Sequence, residues 1–299
     1  MAGFSLPSRN GLMRVRPPHL PGYVLGARLG GGPTADVFAG SDMAGGRGWA
    51  VKVLRHAAAS EPTNVQLFRR EARAGLTVRH PNLVRVVRAV VLGRRPFHLV
   101  MERVPGRSLR SVLRQNGWLS PRTVGMIGRQ AAAALAALHA AGFVHGDVKT
   151  DNLHVSPGRV ATLLDLGFAH RPAEDAHLVG SGYVLGTANY IAPELCDRSV
   201  ADGPAADVFS LGVTLFEMLT GELPYPDGTV EETMVRHRDE RPESLWDWHG
   251  TWPIGQAVLV DRMLDRDPAA RPSAVAVARE LAGLFPATSR HVISVPPRP

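Results

Sequence analysis

Residues 144–153 read VHGDVKTDNL: Asp147 is followed by Lys149 two positions on and Asn152 five positions on, in one short stretch. A carboxylate within reach of a hydroxyl can take its proton or orient it. An amide oxygen can ligate a hard cation, and an ammonium beside them can neutralise charge on a phosphoryl group in flight. Lysine is the informative residue. The chain carries 34 Lys plus Arg, but lysine occurs only at Lys52 and Lys149, and the other 32 positive side chains are arginines. Arginine is a wide fork and lysine a compact point charge, so these two positions mark sites that need the point charge.

Lys52 sits in WAVK, centred on a strand-like run whose Val51 and Val53 face the other way. A lysine in such a strand needs a counter-charge or an anion. In the helix-patterned stretch that follows, Leu67, Glu71, Ala74 and Val78 share one stripe while Arg69, Arg70 and Arg73 lie off it. Glu71 is then an acid on an inward, apolar face and supplies the partner Lys52 lacks; pairing with a neighbouring surface arginine is the alternative. ATLLDLG puts Asp165 at the end of an apolar strand, a poor place for a carboxylate unless it binds a cation, and Mg²⁺ prefers such a carboxylate together with phosphate. Upstream, LGGGPTADVF places Gly30, Gly31 and Gly32 in a turn. Backbone N–H groups there can approach phosphate because glycine lacks a Cβ. The phosphate-cover pattern G-x-G-x-x-G-x-V is met with Val37 in place and Ala35 at the third glycine. Alone, this stretch fits a plain glycine hairpin equally well.

The elements that must position these residues divide in two. From Tyr23 to Val104 the pattern is strand-like (YVLGARL, VFAG, WAVKVL, LVRVVRAVVL, FHLVMERV), with one helix between Pro62 and Val78. After Pro105 it turns helical. Ser120-Pro121 supplies an N-cap hydroxyl and a first-turn proline for a helix running to about Ala141. Short strands LHV and ATLLDL follow, then helices near 204–220, 229–238, 254–264 and 272–284. A small sheet-rich lobe and a larger helical lobe enclose a cleft, where ligands favour binding.

Composition removes other classes. At 299 residues, with 44% hydrophobic and 20% charged content, the chain can build a sizeable folded core. Its single cysteine, Cys196, excludes an internal disulfide and reads as an incidental thiol, in keeping with a reducing cytoplasm. No apolar run reaches the roughly 18–20 residues of a membrane span; AAAALAALHAAGFV, interrupted by His139, reads as a core helix. The N-terminus carries no signal-like apolar region. Net charge is +7, but the arginines are scattered and not interleaved with aromatics. A solvated arginine-biased surface accounts for the charge, and no nucleic-acid partner is expected.

These motifs, in this order, resemble the protein kinase family and within it the bacterial serine/threonine branch, over roughly Tyr23 to Leu284. The resemblance implies an α+β, two-lobed kinase fold. It implies an N-terminal extension at 1–20, a kinase domain at 21–285 with lobes 21–104 and 105–285, and a proline-rich tail at 286–299. Carried over by position, Lys52 would hold the α- and β-phosphates of ATP and pair with Glu71. Asp147 would be the catalytic base, Lys149 the phosphate neutraliser, and Asn152 and Asp165 the ligands of Mg²⁺, or of Mn²⁺ in its place. Gly30, Gly31, Gly32, Val37, Ala50, Met101 as gatekeeper, and Glu102 to Val104 as hinge would bind the nucleotide. His80-Pro81-Asn82 resembles the turn before the fourth strand. GTANYIAPE resembles the end of the activation segment, with Thr187 bridging the catalytic aspartate and lysine and Glu194 pairing with Arg271. DVFSLGV resembles the helix whose Asp207 supports the catalytic loop.

Three positions depart from the family pattern: Ala35, Leu166 in the metal-binding triplet DLG, and Gly146 where arginine is usual before the catalytic aspartate. Such an arginine commonly waits for a phosphate on the activation segment, so Gly146 implies weak dependence on phosphorylation at Ser181 or Tyr183. The alternative is that Gly146 eases a tight turn and Arg171 receives the phosphate. His-Gly-Asp is also how small-molecule kinases similar to aminoglycoside and choline kinases write this loop, and a pseudokinase scaffold is a third reading. Lys149, GTANYIAPE and DVFSLGV favour a protein kinase acting on serine and threonine.

Overall fold

The computed structural model describes residues 16–43, 48–93, 95–172, 187–196, 203–248 and 250–286. Strands β1 (Tyr23–Gly31), β2 (Ala35–Asp42), β3 (Gly48–Leu54), β4 (Val86–Val90) and β5 (His98–Glu102) form an antiparallel sheet in the order β1-β2-β3-β5-β4. Alternation along β3 sorts its two faces. Val51 and Val53 pack with Leu20 and Phe38, while the opposite face carries Lys52.

Helix α1 (Pro62–Thr77) starts with a proline in its first turn, where a missing N–H costs nothing. It packs against β4 and a 3₁₀ turn at 58–60. With neighbours on two sides, its covered surface is wider than the four-residue stripe read from spacing. Phe68 and Ala72 are buried too, and Arg70, expected off the stripe, is only 7% exposed.

The helical lobe opens with β6 (Arg107–Ser108) and α2 (Leu109–Asn116), capped by the Ser108 hydroxyl. It continues with α3 (Pro121–Ala140), β7 (Leu153–Val155) and β8 (Ala161–Leu163). Farther along the chain come α4 (Pro193–Cys196), α5 (Pro204–Thr220), α6 (Val230–Asp239), α7 (Ile254–Met263) and α8 (Ala274–Leu284). Helix α5 is apolar around most of its circumference. That pattern demands burial on all sides, and Phe209, Leu211, Val213, Leu215, Phe216 and Met218 are sealed from solvent. It ends at Gly221, whose φ of 84° closes the helix in the left-handed conformation.

The two lobes are tied where the site will be. Asn82 accepts from Leu163 N at 2.8 Å and donates its side-chain amide to Ala161 O at 2.7 Å, and Val84 N bonds Leu163 O at 2.9 Å. Two strand expectations shorten: of LVRVVRAVVL only residues 86–90 form a strand, and ATLLDL leaves the sheet after Leu163. Asp165 therefore stands two residues beyond its strand, just ahead of the turn at 167–168.

Candidate active site

Three elements converge on Lys52. Its Nζ lies 2.7 and 2.9 Å from the Glu71 carboxylate oxygens on α1, and 2.7 Å from Asp165 Oδ1. Glu71 is 3% exposed and faces inward onto Lys52. Burial works against the charge on Lys52, but the Glu71 and Asp165 carboxylates outweigh it and hold the ammonium above the ordinary lysine range. Burial pushes the Glu71 carboxyl up, Lys52 pulls it back, and Asp165 adds to the rise. Lys52 keeps the Asp165 carboxyl low. Asp165 has φ 58°, a left-handed backbone that aspartate tolerates better than most residues. Its Oδ1 also accepts from Gly167 N at 3.2 Å.

The loop from His145 to Asn152 holds the second cluster. The Thr187 hydroxyl donates to Asp147 Oδ1 at 2.8 Å and accepts from Lys149 Nζ at 2.6 Å, while Lys149 Nζ lies 2.7 Å from Asp147 Oδ2. Asn152 donates its amide to Asp147 O and Oδ2, both at 2.8 Å. That leaves its carbonyl oxygen for a cation. Among the described residues no three His, Cys, Asp or Glu side chains gather as a metal cage. A cation at Asn152 and Asp165 would need further oxygens from a phosphate ligand, the arrangement Mg²⁺ favours.

Asp207, at the start of α5, accepts from His145 N at 2.8 Å, Gly146 N at 2.9 Å and His139 Nε2 at 2.8 Å. Burial would raise its carboxyl, yet His139 and these amides hold it low. His139, read from sequence only as an interruption of an apolar run, thus props the loop from His145 to Asn152. Gly146 has φ 77°, and a Cβ there would stand 3.0 Å from Phe168 O. The turn by itself calls for glycine.

Gly30 and Gly31 are not in a turn. They are the last residues of β1, paired with Val37 and Asp36, and only Gly32 begins the connection to β2. Pairing along the hairpin overrides the turn tendency of glycine. A Cβ at Gly31 would stand 2.5 Å from Arg28 Nη2 and 2.7 Å from Asp36 Oδ1. Asp36 is clamped by Arg55 at 2.8 and 2.9 Å and by Arg28 at 2.8 Å, and those hydrogen bonds, Arg55 foremost, bring its carboxyl down to about 2. Arg55 N also bonds Thr34 O at 2.9 Å. Val37 pairs with Lys52 across β2–β3, and Ala50 with Met101 across β3–β5. The Glu102 amide bonds Arg85 O at 3.0 Å, and Val104 lies in the extended link to the second lobe.

Glu194 and Arg271 form a two-pronged pair, both contacts 2.7 Å. Cys196 has its thiol pushed up to about 12 by burial, which keeps it from acting as a nucleophile. Ser181, Tyr183 and residues 173–186 as a whole lie outside the described residues. Sequence reasoning missed a neighbouring network. Tyr190 Oη donates to Glu217 at 2.5 Å and accepts from Arg110 at 2.6 Å, and Arg110 also reaches Glu217 and, at 3.2 Å, Asp151. An acid inside the otherwise apolar α5 was its one sequence signal.

With this geometry in place, comparison with known proteins is decisive. The sequence profile of the protein kinase domain matches residues 23–281. The chain belongs to the protein kinase family. Among its curated relatives are the serine/threonine-protein kinase PknB of Mycobacterium leprae, 32% identical over 268 residues (88% of this chain, 43% of PknB), and PknA of Mycobacterium tuberculosis, 35% identical over 273 residues (88% of this chain, 62% of PknA). PknL of M. tuberculosis is 37% identical over 203 residues, 68% of this chain and 50% of PknL. The kinase chain spans about half the length of such relatives. Among its described residues no helix is long and apolar enough to cross a membrane.

Proposed function

We propose that this chain is an ATP-dependent protein serine/threonine kinase whose catalytic unit is residues 21–285. The observation that carries the reading is the Lys149–Thr187–Asp147 contact, which joins the loop of residues 145–152 to Thr187 of GTANYIAPE. Asp147 takes the proton of a substrate serine or threonine hydroxyl. That oxygen forms the new bond to the γ-phosphorus, the bond from phosphorus to the bridging oxygen breaks, and ADP leaves. Lys149 neutralises the transferring group, and Lys52, oriented by Glu71, meets the α- and β-phosphates. Mg²⁺, or Mn²⁺ in its place, would be held by Asn152 and Asp165 and would supply charge neutralisation across the phosphates. Gly30, Gly31 and Gly32 cover the phosphates; Val37, Ala50 and Met101 line the base site. The backbone of Glu102 to Val104 would meet the adenine edge. The partners are ATP and a protein substrate in the cytoplasm, the chain itself included, with no nucleic acid.

The purified chain, incubated with labelled ATP, Mg²⁺ and a generic basic protein, is expected to place label on phosphoserine and phosphothreonine. Label on phosphotyrosine alone, or transfer only to aminoglycosides or choline, would overturn the proposal.

A further inference from the structure

Helix α6 holds a histidine that the chemistry above does not use. His237 is fully buried. Its ring stacks on Tyr225 with centroids 4.0 Å apart and meets Phe209 edge-on at 6.1 Å. Nδ1 lies 2.7 Å from the carbonyl oxygen of Ile191. A carbonyl only accepts, so Nδ1 carries the proton and Nε2 presents a lone pair. Nε2, the Tyr225 hydroxyl and the Thr233 hydroxyl are all buried without a hydrogen-bond partner among the described residues. The imidazole therefore does not serve a polar network inside the lobe. Burying such a ring is costly unless it is hydrogen-bonded, and the bond to Ile191 is the one this ring makes among the described residues.

Ile191 lies four residues after Thr187, which touches the Asp147 carboxylate. The backbone from 187 to 194 thus borders the place where an acceptor hydroxyl must sit, and a peptide flanking that hydroxyl has to run along it. Beyond the Thr187 and Tyr190 side-chain contacts already described, three more anchors hold this stretch to the helical lobe. Ser210 Oγ donates to Tyr190 O at 2.7 Å, His237 to Ile191 O, and Arg271 clamps Glu194. Arg271 also lies 4.9 Å over the ring of Phe209, the same ring that His237 meets. His237 and Arg271 thus fix the two ends of residues 191–194 from one shared aromatic support.

We infer that His237 is a positioning residue for the protein substrate: through its Nδ1–H it sets the backbone at Ile191, and with it the surface that receives the peptide next to the acceptor hydroxyl. It touches neither ATP nor the reacting atoms. The inference rests on the protein-kinase reading of the site.

The test has two parts. In the intact wild-type chain, imidazole ¹⁵N chemical shifts should show His237 as the Nδ1–H tautomer, protected from exchange; an Nε2–H tautomer would overturn the inference. His237→Asn places an amide N–H where Nδ1 stands, whereas His237→Gln places it one bond farther out. The Gln variant is expected to raise KM for the basic protein substrate about tenfold with kcat and KM for ATP within about twofold, and the Asn variant to stay within about threefold of wild type. Equal effects of Asn and Gln, or parallel loss in ATP KM and kcat, would overturn it. If neither variant folds, the wild-type tautomer decides alone. A wild-type chain that phosphorylates no protein would overturn the kinase reading instead, and the tautomer would still report on the Ile191 bond.

Discussion

Lys52 Nζ stands 2.7 Å from Asp165 Oδ1, a contact between residues 113 positions apart in sequence. One ammonium so joins the sheet lobe to the stretch that follows β8, and through Glu71 it also fixes α1.

Lys52→Met is expected to lower phosphoryl transfer by at least a hundredfold, because positioning and charge neutralisation supply most of the catalysis. It also strips Glu71 of its counter-charge in a buried site, a loss of about 3 kcal/mol of stability before the carboxyl takes up a proton. Adding Glu71→Gln should return most of that stability but no activity. Denaturant unfolding beside a transfer assay checks both halves. Lys52→Arg should fail as well, since a guanidinium does not fit between two carboxylates spaced for an ammonium; wild-type turnover in that variant would refute the point-charge argument.

Asp165→Asn should abolish transfer by a similar factor while leaving unfolding within about 0.5 kcal/mol of wild type. The side chain is 46% exposed, and asparagine accepts the same positive φ. Appreciable Mg²⁺-dependent turnover in this variant would remove Asp165 from the metal site.

Activation-segment phosphorylation is expected to matter little. Gly146 offers no charge beside Asp147, although its φ of 77° gives the turn its own need for glycine. Ser181→Ala with Tyr183→Phe should keep transfer within about tenfold, roughly 1.4 kcal/mol in barrier. A hundredfold loss, there or in phosphatase-treated wild type, would establish a phosphate switch with Arg171 as the candidate receiver.

Acid should weaken the helical lobe through His237. Burial takes its imidazole down to about 4 from the ordinary 6.5. The folded ring is neutral while the unfolded ring binds a proton below pH 6.5. This stability is therefore complete above pH 6.5 and is lost as pH falls toward 4, by up to about 3 kcal/mol. His237→Asn should flatten that part of the curve of unfolding free energy against pH; an unchanged slope would show that other groups carry the acid sensitivity.

The contacts legible in the sequence were those with local abnormality. A lysine centred in a strand, an acid on an apolar helix stripe and a tight Asp-Lys-Asn spacing each break a pattern, and each break had a partner. Arg110, Tyr190 and Glu217 were not legible as a group, because separations of 80 and 107 residues leave no periodic trace. His237 looked like one more polar residue on a charged helix. The glycines of β1 misled for the opposite reason: a strong local turn preference yielded to strand register fixed by β2 and β3. Arg70 was misplaced because a helix with neighbours on two sides buries more than one stripe.

The arginine bias of the chain gives it an analytical handle. Apart from the α-amino group, the primary amines of these 299 residues are Lys52 and Lys149, 14% and 19% exposed, and both belong to the proposed nucleotide cleft. An amine-directed reagent built on a nucleotide acyl phosphate would find few competing sites over the remaining surface. Labelling of these residues, read by intact mass without peptide mapping, would then count occupancy of the proposed cleft directly, and acetylation of a lysine side chain within them would fall on it.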